Sequence, residues 1–418
     1  MTTINQDIAI IRELAKQYME VAMSDKHVRM RQRFRDTNDL KVVRPPLIME
    51  EIPWHEMKLE EQFSCVCQDP ELREMEHFLR FNLYRERTFQ CDVHMNPFWS
   101  VLKAASNTGN GFDWAVREVT LTTDKANDIV SHQYEDILED EHVLDEMYHD
   151  PVVTPYPEQD EQRLARIREI LGDSMPVVLR GHALWHSPWD MMSRLRGVEA
   201  ALMDLYDRPE YLHKIMRYFT RARSVEMDQM EKYGLYDTNV TNLHCTPGDF
   251  THQTEYDPSF GTCKDTWFRT MAQMFSTVSP ETHYEFDMLY SAPLANRCAY
   301  TYYGCCEPLH DRIDYLKKAY KNLRKIGVSP WANVAASAEI IGGDYVLSRK
   351  PNPAHVARIT DPDQIRKEIT ETVKLCLRYG CPCDITLKDI STVGYRPENL
   401  IVWAETASAV LDEYYGEA

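Results

Sequence analysis

The 418-residue sequence contains no apolar run that approaches the about 20 residues needed by a membrane-spanning helix. Its first residues, Met-Thr-Thr-Ile-Asn-Gln-Asp, lack the basic and then apolar layout of a secretory signal peptide. It also lacks a Gly-x-Gly-x-x-Gly turn after a strand, a Walker loop, a Gly-x-Ser-x-Gly elbow and paired Cys-x-x-Cys motifs. These absences argue against nucleotide-binding domains, α/β hydrolases and zinc ribbons. We expect a cytoplasmic protein with no membrane association.

Basic residues are in the minority. The chain has 47 Lys and Arg residues against 66 Asp and Glu residues, which gives a formal net charge of −19. Its average surface therefore repels polyanions, so we expect no nucleic-acid partner. The 11 cysteines are an odd number spread over a long chain. This pattern fits the reduced thiols of an intracellular enzyme better than a disulfide framework.

The regularity of the sequence divides the chain into two parts. Residues 1–158 hold a helical arm, an arginine-rich segment at 29–35, the first sheet elements and an acidic stretch that we interpret as a cap. Residues 159–418 alternate short strand patterns with longer helix patterns, which predicts parallel βαβ units. Because six or more such units can be counted, we predict an α/β fold. Specifically, we expect a TIM-type (β/α)8 barrel with an N-terminal helical arm and cap, rather than an open sheet.

Short β-branched and apolar runs predict the strands, and apolar residues spaced three or four apart predict the helices. The predicted strands cover residues 89–94, 175–182, 238–243, 298–303, 324–329, 345–348 and 383–387. The predicted helices cover residues 5–23, 68–87, 159–171, 191–233, 266–275, 279–296, 361–379 and 397–414.

Metal-capable side chains are concentrated after one predicted strand. Cys305, Cys306, Glu307 and His310 lie within six residues, directly after strand 298–303 and before a helix pattern. The turn after a strand is where α/β barrels and open α/β sheets place their chemistry. In extended backbone Cys305 and Glu307 would share a direction and Cys306 would face away, but a turn breaks this alternation. Both cysteines therefore stay candidate metal ligands.

The other predicted strand ends carry polar and aromatic residues that a barrel would gather at the same edge. We expect Trp185 and His186 to form an aromatic wall for a planar ligand, with Tyr303 lining part of the pocket. The remaining candidates for metal, carboxylate or phosphate binding are His244, Cys245, Lys350, Asn352, Lys388 and Asp389. Structural roles are the alternative for each group: buried thiols, a helix-capping Glu307, aromatic core, and a Lys388–Asp389 ion pair that closes the barrel.

Six motifs, in this order, resemble the uroporphyrinogen decarboxylase superfamily. They are Trp189-Asp-Met-Met-Ser-Arg-Leu-Arg-Gly197, Asp204-Leu-Tyr-Asp-Arg-Pro-Glu210, Tyr303-Gly-Cys-Cys-Glu-Pro-Leu-His310, Val328-Ser-Pro-Trp331, Leu347-Ser-Arg-Lys-Pro-Asn-Pro353 and Leu387-Lys-Asp-Ile-Ser391. More narrowly, they are similar to its long branch of anaerobe proteins related to corrinoid and thiol methyltransferases. The resemblance covers most of the chain from about Arg31 onward, and it implies a TIM-type barrel with the site at the carboxyl ends of the strands. Since this superfamily often pairs its barrels, we also keep a homodimer open.

In the methyltransferase branch, a His-x-Cys pair and a later Cys bind zinc. Here Tyr303-Gly-Cys305 occupies the His-x-Cys position, so the histidine is missing and Glu307 is the candidate substitute. The resemblance thus implies a zinc site drawn from Cys305, Cys306, Glu307, His244 and Cys245, with catalytic roles for Glu307, Lys388 and Asp389. Zinc would stabilise the thiolate or phenolate that gives or takes the methyl group.

We therefore expect a zinc-assisted methyltransferase that moves a methyl group between a small O-, N- or S-methyl compound and a corrinoid. Because the chain has no Asp-x-His-x-x-Gly signature, a partner protein would supply the corrinoid. One alternative is a metal-free decarboxylase of a tetrapyrrole or small aromatic acid, with the arginine arm, Lys350 and Lys388 holding carboxylates. Another is a corrinoid- or tetrapyrrole-binding protein without turnover.

Overall fold

A computed structural model describes residues 3–109, 111, 118–121, 130–237, 248, 261–358 and 360–416. The α-helices are α1 (Thr3–Ala22), α2 (Asp25–Asn38), α3 (Leu59–Gln62), α4 (Pro70–Thr88), α5 (Glu141–Met147), α6 (Pro157–Leu171), α7 (Pro188–Leu195), α8 (Val198–Asp207), α9 (Pro209–Lys232), α10 (Pro280–His283), α11 (Leu289–Ala295), α12 (Ile313–Ala319), α13 (Val334–Ile341), α14 (Pro362–Tyr379) and α15 (Glu398–Tyr415). A π-helical segment, Tyr284–Met288, joins α10 to α11.

The strands are β1 (Leu47–Met49), β2 (Trp99–Leu102), β3 (Ala105–Asn107), β4 (Glu118–Leu121), β5 (Ser131–Tyr134), β6 (Val153–Pro155), β7 (Val177–Arg180), β8 (Leu184–His186), β9 (Trp267–Thr270), β10 (Tyr300–Tyr303), β11 (Leu323–Val328), β12 (Val346–Arg349) and β13 (Cys383–Leu387). Seven of them form a parallel sheet in the order β1-β13-β12-β11-β10-β9-β8. A second parallel pair joins β2 to β7.

The fold is therefore mixed α/β around a parallel sheet, as the alternating pattern predicts. In the described residues the strand order runs from β1 at one end to β8 at the other, so closure into a barrel stays a prediction. Because all seven strands run the same way, their carboxyl ends share one edge of the sheet. The segments that begin at Glu50, Ser187, Met271, Gly304 and Lys388 all leave the sheet at that edge.

Two sequence-based predictions of secondary structure are wrong. The helix expected at 266–275 is instead the strand β9, in which all four residues are buried. Because both sides of β9 are buried, its sequence lacks the alternation of apolar and polar residues that marks a half-exposed strand. Residues 89–94 do not form a strand, because Phe89 ends α4 as its C-cap. The strand predicted at 238–243 lies outside the described residues.

The sheet has two different faces, which we name by neighbouring residues of β10: Tyr302 lies on the inner face and Tyr303 on the outer face. On the inner face, Tyr302 of β10 meets Ser348 of β12, with 2.9 Å between their hydroxyl oxygens. On the outer face, Tyr303 donates to Asp287 in the π-helical segment, at 2.6 Å. This alternation of neighbouring residues in a strand separates an inner polar surface from the layer packed against the helices.

The N-terminal arm is helical, and the arginine-rich segment at 29–35 lies within α2. Arginines of α2 bind their own chain: Arg31 donates to the carbonyl oxygens of Ala22 and Met95, and Arg33 pairs with Asp92. The acidic stretch contains α5 and the antiparallel pairs β3–β6 and β4–β5, and its interpretation as a cap stays a prediction. The boundary predicted at 158/159 stays a prediction. None of the helices in the described part of the chain has the length and apolarity to cross a bilayer.

Candidate functional site

The loop after β10 is shaped by a glycine. Gly304 has a φ of 98°, and a Cβ atom at this position would lie 2.3 Å from Leu309 Cδ1. A residue with a side chain would meet both backbone strain and this contact. Gly304 thus turns the chain out of the sheet and places Cys305 and Cys306 at its carboxyl edge.

Glu307 fixes the same loop to its neighbour. Its Oε2 accepts the N–H of Cys305 at 2.9 Å, and its Oε1 accepts the N–H of Ala272 at 3.1 Å. The side chain is fully buried. One carboxylate therefore joins the segments that follow β9 and β10. This geometry supports a positioning role, and the predicted roles of Glu307 as metal ligand and catalytic group stay predictions.

Cys305 and Cys306 form a close thiol pair, with 3.5 Å between their Sγ atoms. Cys306 Sγ also lies 3.4 Å from Asp389 Oδ2. The hydrogen bond from Cys306 lowers the pKa of Cys305 against the effect of burial, and the positive charges of Lys388 and Arg269 lower it further. The same hydrogen bond and burial raise the pKa of Cys306. The surroundings of the pair therefore favour the thiolate form of Cys305 and the neutral thiol form of Cys306.

Lys388 and Asp389 close the site from the end of β13. Lys388 Nζ lies 2.8 Å from Asp389 Oδ2 and 3.3 Å from Glu51 Oε2, which follows β1. Burial disfavours the charged forms of both side chains. The charge of Lys388 outweighs this effect at Asp389 and lowers its pKa, and the charges of Cys305, Asp389 and Glu51 outweigh it at Lys388 and raise its pKa. The predicted ion pair is present, and it also places a cation near Cys305.

Arg269 is a site residue that the sequence analysis missed. It is 1% exposed, and it donates to the carbonyl oxygens of Thr270 at 2.8 Å and Gly304 at 2.7 Å. Its guanidinium carbon lies 4.1 Å from the centre of the Tyr302 ring and 5.5 Å from that of Trp185. It was missed because residues 266–275 were predicted to be a helix. In the strand β9, residues two apart such as Trp267 and Arg269 lie on the same face of the sheet.

A second missed residue is Asp190, in the first turn of α7. Burial raises the pKa of its carboxyl group, hydrogen bonds with Ser187 and Gln273 oppose that shift, and the charge of Glu307 adds to it. The sequence motif Trp189-Asp-Met-Met includes this residue, but nothing in the motif indicates that its half-buried carboxyl group is close enough to feel the charge of Glu307, in the loop that carries Cys305 and Cys306 (the thiol loop).

The predicted residue Lys350 joins a buried network on the inner face of the sheet. Lys350 Nζ donates to Ser348 Oγ at 2.9 Å, and Ser348 Oγ donates to Asp384 Oδ1 at 2.6 Å. Asp384 also accepts from Lys325 Nζ at 2.7 Å. Burial alone would raise the pKa of Asp384, but Lys325 and Lys350 hold it below its usual value.

Asn352 lies apart from this network. Its side chain accepts the N–H of Ala354 at 3.0 Å and so caps the short helix Pro353–Val356. Tyr303 also lies apart, because its hydroxyl group is buried between Asp287 and His283 on the outer face. Neither residue is brought to the thiol loop, and the pocket-lining role expected for Tyr303 has no support from its position.

Trp185 and His186 lie side by side in β8 but have different surroundings. Trp185 is 39% exposed and faces Arg269. His186 is 4% exposed and packs against Phe268. Both line a cavity of about 100 Å³. They therefore do not form one flat wall, although both border a cavity at the end of β8.

The ligand set expected for zinc is only partly represented. His244 and Cys245 lie outside the described residues. Within the described ranges, no group of three or more His, Cys, Asp or Glu side chains is arranged to hold a metal ion. The described part of the site thus contributes a thiol pair, and a complete ligand set would need residues from elsewhere in the chain.

Comparison with known proteins gives a structural likeness and no family. No family model and no curated protein matches this chain. A methyltransferase from Methanosarcina mazei is similar in structure, with 13% sequence identity and a TM-score of 0.47 over 92% of this chain and 99% of that chain. The chemistry of this protein therefore has to be inferred from its own side chains.

Proposed function

We propose that this protein is a zinc-assisted methyltransferase of the uroporphyrinogen decarboxylase superfamily, built on a closed (β/α)8 barrel. In this proposal it moves a methyl group between a small O-, N- or S-methyl compound and a corrinoid. A partner protein carries the corrinoid, and the enzyme acts in the cytoplasm as a homodimer. The observation that carries the proposal is the Cys305–Cys306 thiol pair at the carboxyl edge of a parallel sheet.

The spacing of the two sulfur atoms fits metal binding. Two thiolates bound to one zinc ion at about 2.3 Å, with tetrahedral angles, lie about 3.8 Å apart. Cys305 Sγ and Cys306 Sγ are 3.5 Å apart, so a small change in side-chain torsion would match that separation. We propose Cys305 and Cys306 as two ligands, with His244 and Cys245 as candidates for the others. When bound, the ion would stabilise the negative charge on the heteroatom that exchanges the methyl group.

Residues around the thiol pair would stabilise the charge of the thiolates and accept the protons that the thiols lose. A cysteine must lose its proton to become a zinc ligand. Asp389 Oδ2, at 3.4 Å from Cys306 Sγ, is placed to accept that proton. Lys388 and Arg269 favour the thiolate of Cys305 by their positive charge. Glu307 holds the backbone of the thiol loop through its two accepted N–H groups.

A metal-free decarboxylase is the second candidate, and one observation favours it. Lys325 and Lys350 are 1% and 2% exposed and meet on the inner face of the sheet around Ser348 and Asp384. Buried lysines of this kind can anchor substrate carboxylates, because a buried cation is stabilised by an anion. In that case, replacing Cys305, Cys306 and Glu307 together should leave turnover intact.

Metal analysis combined with an activity assay separates the two candidates. We expect the purified protein to contain about one equivalent of zinc, as in proteins with one such site. We also expect it to methylate free cob(I)alamin from a small methyl donor, and chelation should remove this activity until zinc is restored. Less than about a tenth of an equivalent of zinc, with activity unchanged by chelation, would contradict the proposal.

A further inference from the structure

Two residues at the carboxyl edge of the sheet have an unusual backbone conformation. Glu51 has a φ of 52° and Asp389 a φ of 57°. Both values lie in the left-handed region, which glycine adopts freely and most other residues avoid. Strands β1 and β13 pair as far as Met49 and Leu387, so each of the two residues lies two positions beyond the last pair. Backbone strain of this kind persists where surrounding contacts hold it, and it is common at active sites.

One oxygen atom links the two strained residues. Glu51 Oε2 accepts the backbone N–H of Asp389 at 2.9 Å, and it also accepts from Lys388 Nζ at 3.3 Å. Because β13 ends at Leu387, the N–H of Asp389 lies beyond the strand pairing, and the Glu51 side chain is its acceptor. Glu51 thereby fixes the backbone of Asp389 across the gap between the ends of β1 and β13.

The backbone conformation of Asp389 determines where its carboxylate lies. Asp389 Oδ2 is 3.4 Å from Cys306 Sγ and 2.8 Å from Lys388 Nζ. The Asp389 side chain is 49% exposed, so water competes for it and these contacts alone hold it weakly. A change of φ to the usual negative range would redirect the side chain and move its carboxylate away from both partners. The place of this carboxylate beside Cys306 thus depends on the backbone that Glu51 holds.

We propose that Glu51 is a positioning residue of the site, which holds Asp389 in the left-handed conformation that brings its carboxylate to Cys306. This role rests on the proposed function, in which Asp389 assists Cys306 as a zinc ligand. Glu51 acts on the thiol pair through Asp389 and Lys388, which it contacts. Because a single oxygen atom accepts both hydrogen bonds, the amide oxygen of a glutamine could replace it, whereas alanine has no acceptor.

The crystal structure of Glu51→Ala, compared with that of the wild type, tests this geometry directly. We expect Asp389 to leave the left-handed region and its carboxylate to lie beyond hydrogen-bond distance of Cys306 Sγ. Glu51→Gln should keep the wild-type conformation. Glu50→Ala is the matched control and should leave Asp389 in place, because Glu50 is the preceding residue but pairs with Arg85 at 2.7 Å. An Asp389 that keeps both its conformation and its contact with Cys306 in Glu51→Ala would overturn the proposal.

Zinc affinity, measured by competition with a chelating dye, gives a functional readout. Glu51→Ala should weaken zinc binding by about 10- to 100-fold, as expected when a residue that orients a metal ligand is lost, and Glu51→Gln should restore most of the affinity. In a double-mutant cycle, Glu51→Ala should cause no further loss in the Asp389→Asn background, because the group that it positions is already altered. Additive losses in this cycle, or equal losses in Glu51→Ala and Glu50→Ala, would overturn the proposal.

Circular dichroism of each variant checks its folding. If Glu51→Ala does not fold, Glu51→Met carries both tests, because it keeps the length of the side chain and lacks an oxygen acceptor. Wild-type protein that binds no zinc would contradict the proposed function, whereas the crystal structures would still decide whether Glu51 holds Asp389 at Cys306. The two proposals can therefore fail separately.

Discussion

Two groups of cysteines in this protein differ in what surrounds them. The thiol pair Cys305–Cys306 lies at the carboxyl edge of the sheet, near Lys388 and Arg269. The second group, which we name the C-terminal thiol cluster, consists of Cys376, Cys381 and Cys383, and each of its residues is at most 3% exposed. Cys305 is also only 2% exposed, so it differs from this cluster in its neighbouring charges and not in its burial. Its thiols donate to backbone oxygens: Cys381 to Ala338 at 3.2 Å and Cys383 to Asp384 at 3.4 Å.

The environment, more than the number of thiols, sets their chemistry. In the C-terminal thiol cluster, the hydrogen bond with Cys381 lowers the pKa of Cys376, but the hydrogen bond with Cys383 and burial outweigh it, and the pKa rises well above its usual value. The hydrogen bond with Cys376 and burial raise the pKa of Cys381. Only the thiolate is a good nucleophile and metal ligand. The surroundings of Cys305 therefore favour the reactive thiolate form, whereas the C-terminal thiol cluster is packed core.

The largest expected difference concerns zinc. Replacing both Cys305 and Cys306 with Ser should lower the zinc content from about one equivalent to less than about a tenth, and methyl transfer by at least about 100-fold, since two thiolate ligands are lost. Plasma emission spectrometry and the cobalamin assay measure both quantities. The control is the double variant Cys376→Ser, Cys381→Ser, which should keep its zinc. Equal loss in the two double variants would remove the distinction between the thiol groups.

The next difference concerns alkylation. In zinc-free protein at pH 7.5, iodoacetamide should modify Cys305 at least about 100-fold faster than Cys376 or Cys381, because the pKa of Cys305 is lowered whereas the pKa values of the other two are raised. Peptide mass spectrometry over a time course gives the individual rates. Comparable rates at the two sites would show that the positive charges near Cys305 do not create a thiolate.

A smaller effect is expected from one of those charges. Lys388→Gln should raise the pKa of Cys305, since a cation that favours the thiolate is lost. A shift of one pH unit would slow alkylation of Cys305 by about tenfold at pH values below its pKa. The pH profile of the alkylation rate should therefore move to higher pH. Lys367→Gln, an exposed position on α14, should leave the profile in place, and an unmoved profile in Lys388→Gln would contradict the electrostatic account.

The smallest difference is expected in stability. Cys381→Ala removes a fully buried sulfur atom and should cost about 1 kcal/mol of unfolding free energy. Cys306→Ala changes a partly exposed residue and should cost less than about 0.5 kcal/mol. Urea denaturation followed by circular dichroism measures both values. A larger loss for Cys306→Ala would indicate that the thiol pair contributes mainly to packing.

The sequence predicts most of the sheet and only part of the site. The strand expected at 383–387 is confirmed as β13, and those at 324–329 and 345–348 are each shifted by one residue at their ends. Strand β9 was missed because all four of its residues are buried. Arg269 was missed for the same reason, because its contact with Gly304 depends on the pairing of β9 with β10.

Some site properties depend on geometry that no sequence pattern encodes. The strand ends indicate that Cys305 and Lys388 share an edge, because parallel strands align their carboxyl ends. The sequence does not indicate that Glu307 accepts two backbone N–H groups, because this depends on how the loops after β9 and β10 pack. It likewise gives no sign that Tyr303 faces Asp287 rather than the site, because the face on which Tyr303 lies depends on how β10 is oriented between β9 and β11.

An anomalous-difference map collected at the zinc absorption edge, from crystals of the protein purified without chelator, tests the central claim most directly. We predict a single peak at the carboxyl edge of the sheet, at about 2.3 Å from both Cys305 Sγ and Cys306 Sγ. A map without a peak at these two sulfur atoms, from protein that is active in methyl transfer, would contradict the account.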